Sequence, residues 1–169
     1  MSEFGDAVQE KCKTFADRVI KLNDYLLEQA ASSMYDVRGK KYEARKGSSS
    51  FSHQTSDLSL PSSFSHQPSR VPVHLQSVAA LANQLLRSGT SIGANNAEAT
   101  NAVSRQDFRS KSYIALKEAR ESLYWIELLH RNSYIDDKQF CSIYADCEEL
   151  LKILVAHCKK LDQELNGSK

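Results

Sequence analysis

Apolar side chains recur near the start of the chain at Val8, Cys12, Phe15, Val19, Leu22 and Leu26, in alternating steps of four and three residues. Only a helix turns such positions to one side, so the spacing predicts a long amphipathic α-helix from about Asp6, a candidate N-cap, to about Met34. A second stripe, Leu75, Val78, Ala82, Leu85, Gly89, Ile92, Asn96 and Ala99, predicts a helix from about Val73 to about Asn101. Ser104 followed by Asp107 resembles a capping box with Asp in place of Glu, and it opens a third stripe of Phe108, Ala115, Ala119, Ile126 and Leu129 that ends near Arg131. Beyond a short connection, Phe140, Ile143, Cys147, Leu150, Leu154, Cys158, Leu161 and Leu165 mark a fourth helix that stops before Asn166 and Gly167. Four amphipathic helices with two short turns predict an all-α fold, an up-down-up-down four-helix bundle formed by one domain over residues 1–169.

The pattern fails between the first two helices. Residues 47 to 73 hold ten serines and all three prolines of the chain, with few apolar positions and no period among them. Burial there would not offset the entropy of ordering the backbone, which predicts a long Ser-rich disordered loop at about 40–72. Within it, Ser49 to Gln54 returns as Ser62 to Gln67, a short tandem duplication too small and too polar for a repeat domain. Residues 36 to 46 carry a net charge of +3, which a solvated tether explains as readily as a binding patch.

Composition narrows the function. With 22 Lys and Arg against 21 Asp and Glu, the chain is not the strongly basic object that a dedicated nucleic-acid binder often is, so any basic surface must arise by local clustering. No apolar run approaches a bilayer span and the N-terminal residues are polar, which points to a cytoplasmic protein without a membrane role. Cys12, Cys141, Cys147 and Cys158 form no Cys-x-x-Cys pair, and three lie on helical seams, as reduced core cysteines do. The five histidines include no pair at metal-ligating spacing, so neither metal nor cofactor is expected.

The least generic segment runs from Arg87 to Ala99. It lacks the Lys and the preceding strand of a phosphate-binding loop. Gly89 and Gly93, one turn apart, each cost about 1 kcal/mol of helix propensity relative to Ala, and close approach of another helix is a physical reason to have them there. Arg87, Asn95 and Glu98 face the Lys117 to Glu121 run, and a structural polar network joining them to Glu118 and Glu121 would fix the register of helices 2 and 3. The sharper reading, a carboxylate active site, lacks the Glu-x-x-His motif of di-iron bundles, so the chain is read as no enzyme. Tyr124 and Trp125 read as core or subunit-interface aromatics before they read as base-stacking platforms. The candidate nucleic-acid-binding cations are Lys11, Lys13, Arg18 and Lys21 on helix 1 and Arg105, Arg109 and Lys111 on helix 3, which continues to Lys117 and Arg120. The plainer reading is that they solvate outer helix faces.

Gln84-Leu-Leu-Arg-Ser-Gly-Thr-Ser-Ile-Gly-Ala-Asn95, Glu98-Ala99, Asp107-Phe108, Ile114 to Glu121, Tyr124-Trp125 and Leu128-Leu129 together resemble a bacterial four-helix-bundle family. That family comprises proteins encoded in intervening sequences of large-subunit (23S) rRNA genes and is related to the accessory variability proteins of diversity-generating retroelements. The resemblance implies a homo-oligomer, a pentameric ring without enzymatic activity, and in the retroelement branch partners that include RNA or DNA and a reverse transcriptase. Asn96, where the family carries an aliphatic residue, departs from the pattern. A protein-protein interaction scaffold with no nucleic-acid role is the alternative from a different functional class.

Overall fold

A computed structural model describes residues 3–46 and 73–167. Its four helices are α1 (Glu3–Lys46), α2 (Val73–Thr100), α3 (Arg105–Arg131) and α4 (Asp137–Asn166). The expected Ser-rich loop, apart from its first residues, lies outside the described residues.

The stripes become the core. Val8, Cys12, Phe15, Val19 and Leu26 of α1 meet Val78, Ala82, Leu85 and Ile92 of α2, Ala115, Ala119, Ile126 and Leu129 of α3, and Ile143, Cys147, Leu150, Leu154 and Cys158 of α4. Neighbouring pairs α1–α2, α2–α3 and α3–α4 pack extensively, α1 and α4 touch more thinly, and the diagonal pairs make no close backbone approach among the described residues. Gln9 reaches Gly93 while Val19 lies against Gly89, so α1 and α2 run antiparallel. Lys11 bonds Glu149 and Arg18 bonds Ser142, so α4 also runs against α1, and the bundle closes as up-down-up-down.

Helix ends follow local chemistry. Ser104, in an extended conformation, accepts the Asp107 N–H at 3.1 Å, while Asp107 Oδ2 accepts the Val103 N–H at 3.2 Å. At α4 a full capping box is present: Asp136 Oδ1 accepts the Gln139 N–H at 2.7 Å and Gln139 Oε1 accepts the Asp136 N–H at 2.9 Å. Helix α1 departs from expectation at both ends. It begins at Glu3, so Asp6 sits in its first turns rather than at the cap, and it continues past Met34 to Lys46. Apolar periodicity ends near Ala30, but the sequence that follows contains no proline to break the helix, and Lys40, Lys41, Glu43, Ala44 and Arg45 within it have high helix propensity.

All four cysteines are free, with Cys12, Cys147 and Cys158 buried and Cys141 exposed. Burial pushes the Cys12 thiol up to about 11 and the Cys147 thiol up to about 12, so both are inert packing groups at neutral pH.

Candidate binding surfaces

The small residues of α2 stand where α1 comes closest. A Cβ added at Gly89 would lie 3.0 and 3.2 Å from the methyls of Val19 and 3.4 Å from the Phe15 ring, and one added at Gly93 would lie 3.3 Å from Cys12 Cβ. One turn further on, Gln9 bridges the two helices: its Nε2 donates to the Gly93 carbonyl at 3.2 Å and its Oε1 accepts from Asn96 Nδ2 at 2.6 Å. The polar residue at the Asn96 seam position is thus matched by a polar partner 87 positions away. On the other side of α2, Ser122 of α3 donates to Ser88 at 2.9 Å, and both hydroxyls are buried.

Of the five residues expected to form one buried network between α2 and α3, Arg87, Glu118 and Glu121 lie near enough to act on one another, while Asn95 and Glu98 are engaged elsewhere. Arg87 is exposed, and Asn95 turns back on its own helix to donate to the Ser91 carbonyl at 2.9 Å. Glu98 pairs with Lys111 on the surface, its side chain 57% exposed. Glu121 accepts the Trp125 indole N–H at 3.0 Å. Only Glu118 keeps the expected environment in part: burial, and then Glu121, raises its carboxyl above the usual range, with Arg87 acting in the opposite sense. Small side chains rather than a charged network therefore set the α2–α3 contact. Glu98→Ala should cost under about 1 kcal/mol, as exposed pairs do. A shift in the urea midpoint corresponding to about 2 kcal/mol or more would restore the network reading.

Six of the seven candidate cations are already engaged with carboxylates. Lys11 pairs with Glu149, Lys13 with Glu10, Arg18 with Asp146, Arg105 with Glu164, Arg109 with Asp162 and Lys111 with Glu98. Lys21 takes part in none of the ion pairs found among the described residues. Most of these pairs join α1 to α4 or α3 to α4. The best formed places Arg109 Nε 2.6 Å from Asp162 Oδ1, with Tyr113 donating to Oδ2 at 2.5 Å and the guanidinium 4.8 Å from the Tyr113 ring centre. The Tyr113 hydrogen bond, and then Arg109, holds the Asp162 carboxyl below the usual carboxylate range.

Two other surfaces remain open. On α1 the three- and four-residue spacing of Asp17, Ile20, Asp24 and Leu27 sets two carboxylates beside two exposed apolar side chains, Ile20 at 42% and Leu27 at 37%. Lys13, paired with Glu10, borders the same face. On α3, Lys117, Tyr124 and Arg131 share a face at seven-residue spacing, flanked by Arg120 and Ile114, with Tyr124 54% exposed and edge-on to Trp125. None of these three α3 cations belongs to an ion pair among the described residues, and Glu121 and Glu127 partly offset their charge. No cluster of three or more metal-ligating side chains occurs among the described residues, and none of their helices is long and apolar enough to cross a membrane.

The chain is similar to known proteins in sequence and in fold. Residues 72–156 match the family model described as 23S rRNA-intervening sequence protein. No curated protein matches. Among solved structures, a protein of unknown function from the S23 ribosomal protein family of Bacteroides thetaiotaomicron is 32% identical, with a TM-score of 0.62 over 92% of this chain and 97% of that one. The matched segment carries α2, α3 and most of α4, including the close-packed glycines, and the structural likeness extends to α1. The chain is a four-helix bundle that belongs to the 23S rRNA-intervening sequence protein family.

Proposed function

We propose that this protein is a self-assembling binding module, in which the α1 face of one copy seats on the α3 face of the next. The observation that carries this reading is the complementarity of the two open faces: apolar residues beside carboxylates on α1, apolar and aromatic residues beside unpaired cations on α3. The two helices lie diagonally across the bundle, without close backbone approach among the described residues, so their outer faces point away from each other. A contact between unlike faces is heterologous and closes into a ring when the rotation per copy allows. Burying the apolar residues supplies affinity, and the opposed charges set register. Five copies is the number the family resemblance implies.

Light scattering on the full chain should give a mass several times 19.0 kDa. Ile20→Glu and Tyr124→Glu should each yield a folded monomer. An equimolar mixture of the two should form a dimer, because one variant keeps an intact α3 face and the other an intact α1 face. A monomeric parent protein, or a mixture that stays monomeric, sinks the head-to-tail arrangement.

The ligand of such an assembly is nucleic acid or an RNA-associated protein, reverse transcriptase included, as the kinship of the family with rRNA-encoded and retroelement proteins suggests. Repetition around a ring multiplies a modest local charge, and binding of this kind weakens by orders of magnitude between about 50 and 200 mM salt. The pairing of six candidate cations with carboxylates favours instead the protein-protein scaffold. Gel shifts of RNA and DNA at those two salt concentrations separate the readings: no shift at the lower salt by assembled protein leaves the scaffold.

A further inference from the structure

The start of α3 and the last turns of α4 enclose a cleft of about 550 Å³, within the roughly 300–1,000 Å³ typical of small-molecule sites. Its floor is apolar, made by Phe108, Ala156 and Leu161. Its rim is basic, with Arg105 from α3 and His157 and Lys160 from α4, against one acid, Glu164. The Phe108 ring meets the His157 imidazole edge-on, with centroids 5.4 Å apart, so the floor presents aromatic surface beside a titratable nitrogen.

The charges at this rim are not consumed by the fold. Arg105 touches Glu164 at 3.2 Å, but its side chain is 70% exposed, and a pair so open to solvent is easily exchanged for a stronger anion. Lys160 is exposed and belongs to none of the ion pairs among the described residues. A cleft with an aromatic and aliphatic bed under two cations and an imidazole fits a dianion carried on a flat ring. The open side would leave any attached chain in solvent.

We propose that this cleft binds a nucleoside 5′-monophosphate, with the base on the Phe108 and Leu161 floor and the phosphate between Arg105 and Lys160. The shared chemistry has two sources, a free nucleotide or the phosphorylated 5′ end of a strand. The site lies within a single chain and away from both open faces, so it stands independently of the assembly reading. Burial, and then the Lys160 charge, lowers the His157 basicity, with Glu164 opposing. Arg105 is the remaining charge facing the cleft. A phosphate set beside the neutral imidazole favours its protonation, so binding takes up a proton and strengthens as pH falls.

Calorimetric titration of the full-length protein tests the site, with AMP, adenosine, and a short oligoadenylate with and without its 5′ phosphate, at about pH 6.5 and pH 8. AMP should bind more tightly at the lower pH, and adenosine should bind at least about tenfold more weakly, as loss of a charge-assisted contact predicts. Lys160→Ala should weaken AMP by about tenfold, and Ala156→Trp, which fills the cleft from an exposed position, should abolish binding with helix content unchanged. His157→Gln should remove the pH dependence. Tighter binding of the phosphorylated strand than of AMP assigns the site to strand ends, and the reverse order assigns it to free nucleotide. No heat with either ligand overturns the proposal. So does binding indifferent to both Lys160→Ala and Ala156→Trp, or adenosine bound as tightly as AMP.

Discussion

Phe15→Ala should destabilise the bundle by about 3–5 kcal/mol, the range for removing a fully buried aromatic ring. Phe15 is 1% exposed and sits in the α1 stripe between Cys12 and Val19, with Gly89 of α2 against its ring edge. A glycine has no side chain with which to fill the space left behind, so the cavity should persist and the cost should fall toward the upper end. For a chain of this length each kcal/mol moves the melting temperature by roughly 2–4 °C, so a drop on the order of 10 °C is expected. Parent and variant are compared at one protein concentration, because assembly links stability to mass action. A loss under about 1 kcal/mol would mean that α1 does not pack on α2 in this register.

Gly89→Leu should cost about 3 kcal/mol or more, although leucine is the better helix former by close to 1 kcal/mol. The Cβ alone would lie 3.0 Å from a methyl of Val19, a fully buried side chain whose β-branching restricts its χ1 rotation. A whole isobutyl group must push α1 outward, and the separation uncovers Phe15 and Cys12 as well, which adds lost burial to the overpacking cost of roughly 1–3 kcal/mol. Gly89→Ala is the control: propensity gained and contact strained nearly cancel, and combining it with Val19→Ala should then give a favourable coupling energy in a double-mutant cycle. A Gly89→Leu variant that melts with the parent would show that the helices are not held close by this glycine.

The stripes from Val8 to Leu26, from Val78 to Ala99, from Ala115 to Leu129 and from Ile143 to Cys158 were legible because helical periodicity is a local property, written every three or four residues. The Ser104 cap was legible for the same reason. The Asp136-x-x-Gln139 capping box carried a signal of equal strength in the sequence, and the true start of α4 could have been found from it. Helix α1 runs past the end of its apolar stripe, from Tyr35 to Lys46, because a chain without proline can continue a helix that periodicity no longer marks.

The candidate surfaces were far less legible. Whether a surface cation is free or neutralised depends on what the packing brings opposite it, and Lys11 meets Glu149 across 138 residues while Arg109 meets Asp162 across 53. Gln9 and Asn96 look like two unrelated polar intrusions until antiparallel packing sets them 2.6 Å apart. The cleft between Arg105 and Lys160 exists only because α3 begins where α4 ends.

The four helices, the side of each that is buried and the small residues that mark close approach follow from the spacing of residue types along single helices, and so could be read before any packing was known. Which charges are paired, which apolar residues stay outside and where the α3–α4 cleft opens emerge from packing, because these depend on the rotation and axial offset of one helix against another, to which no local pattern is sensitive.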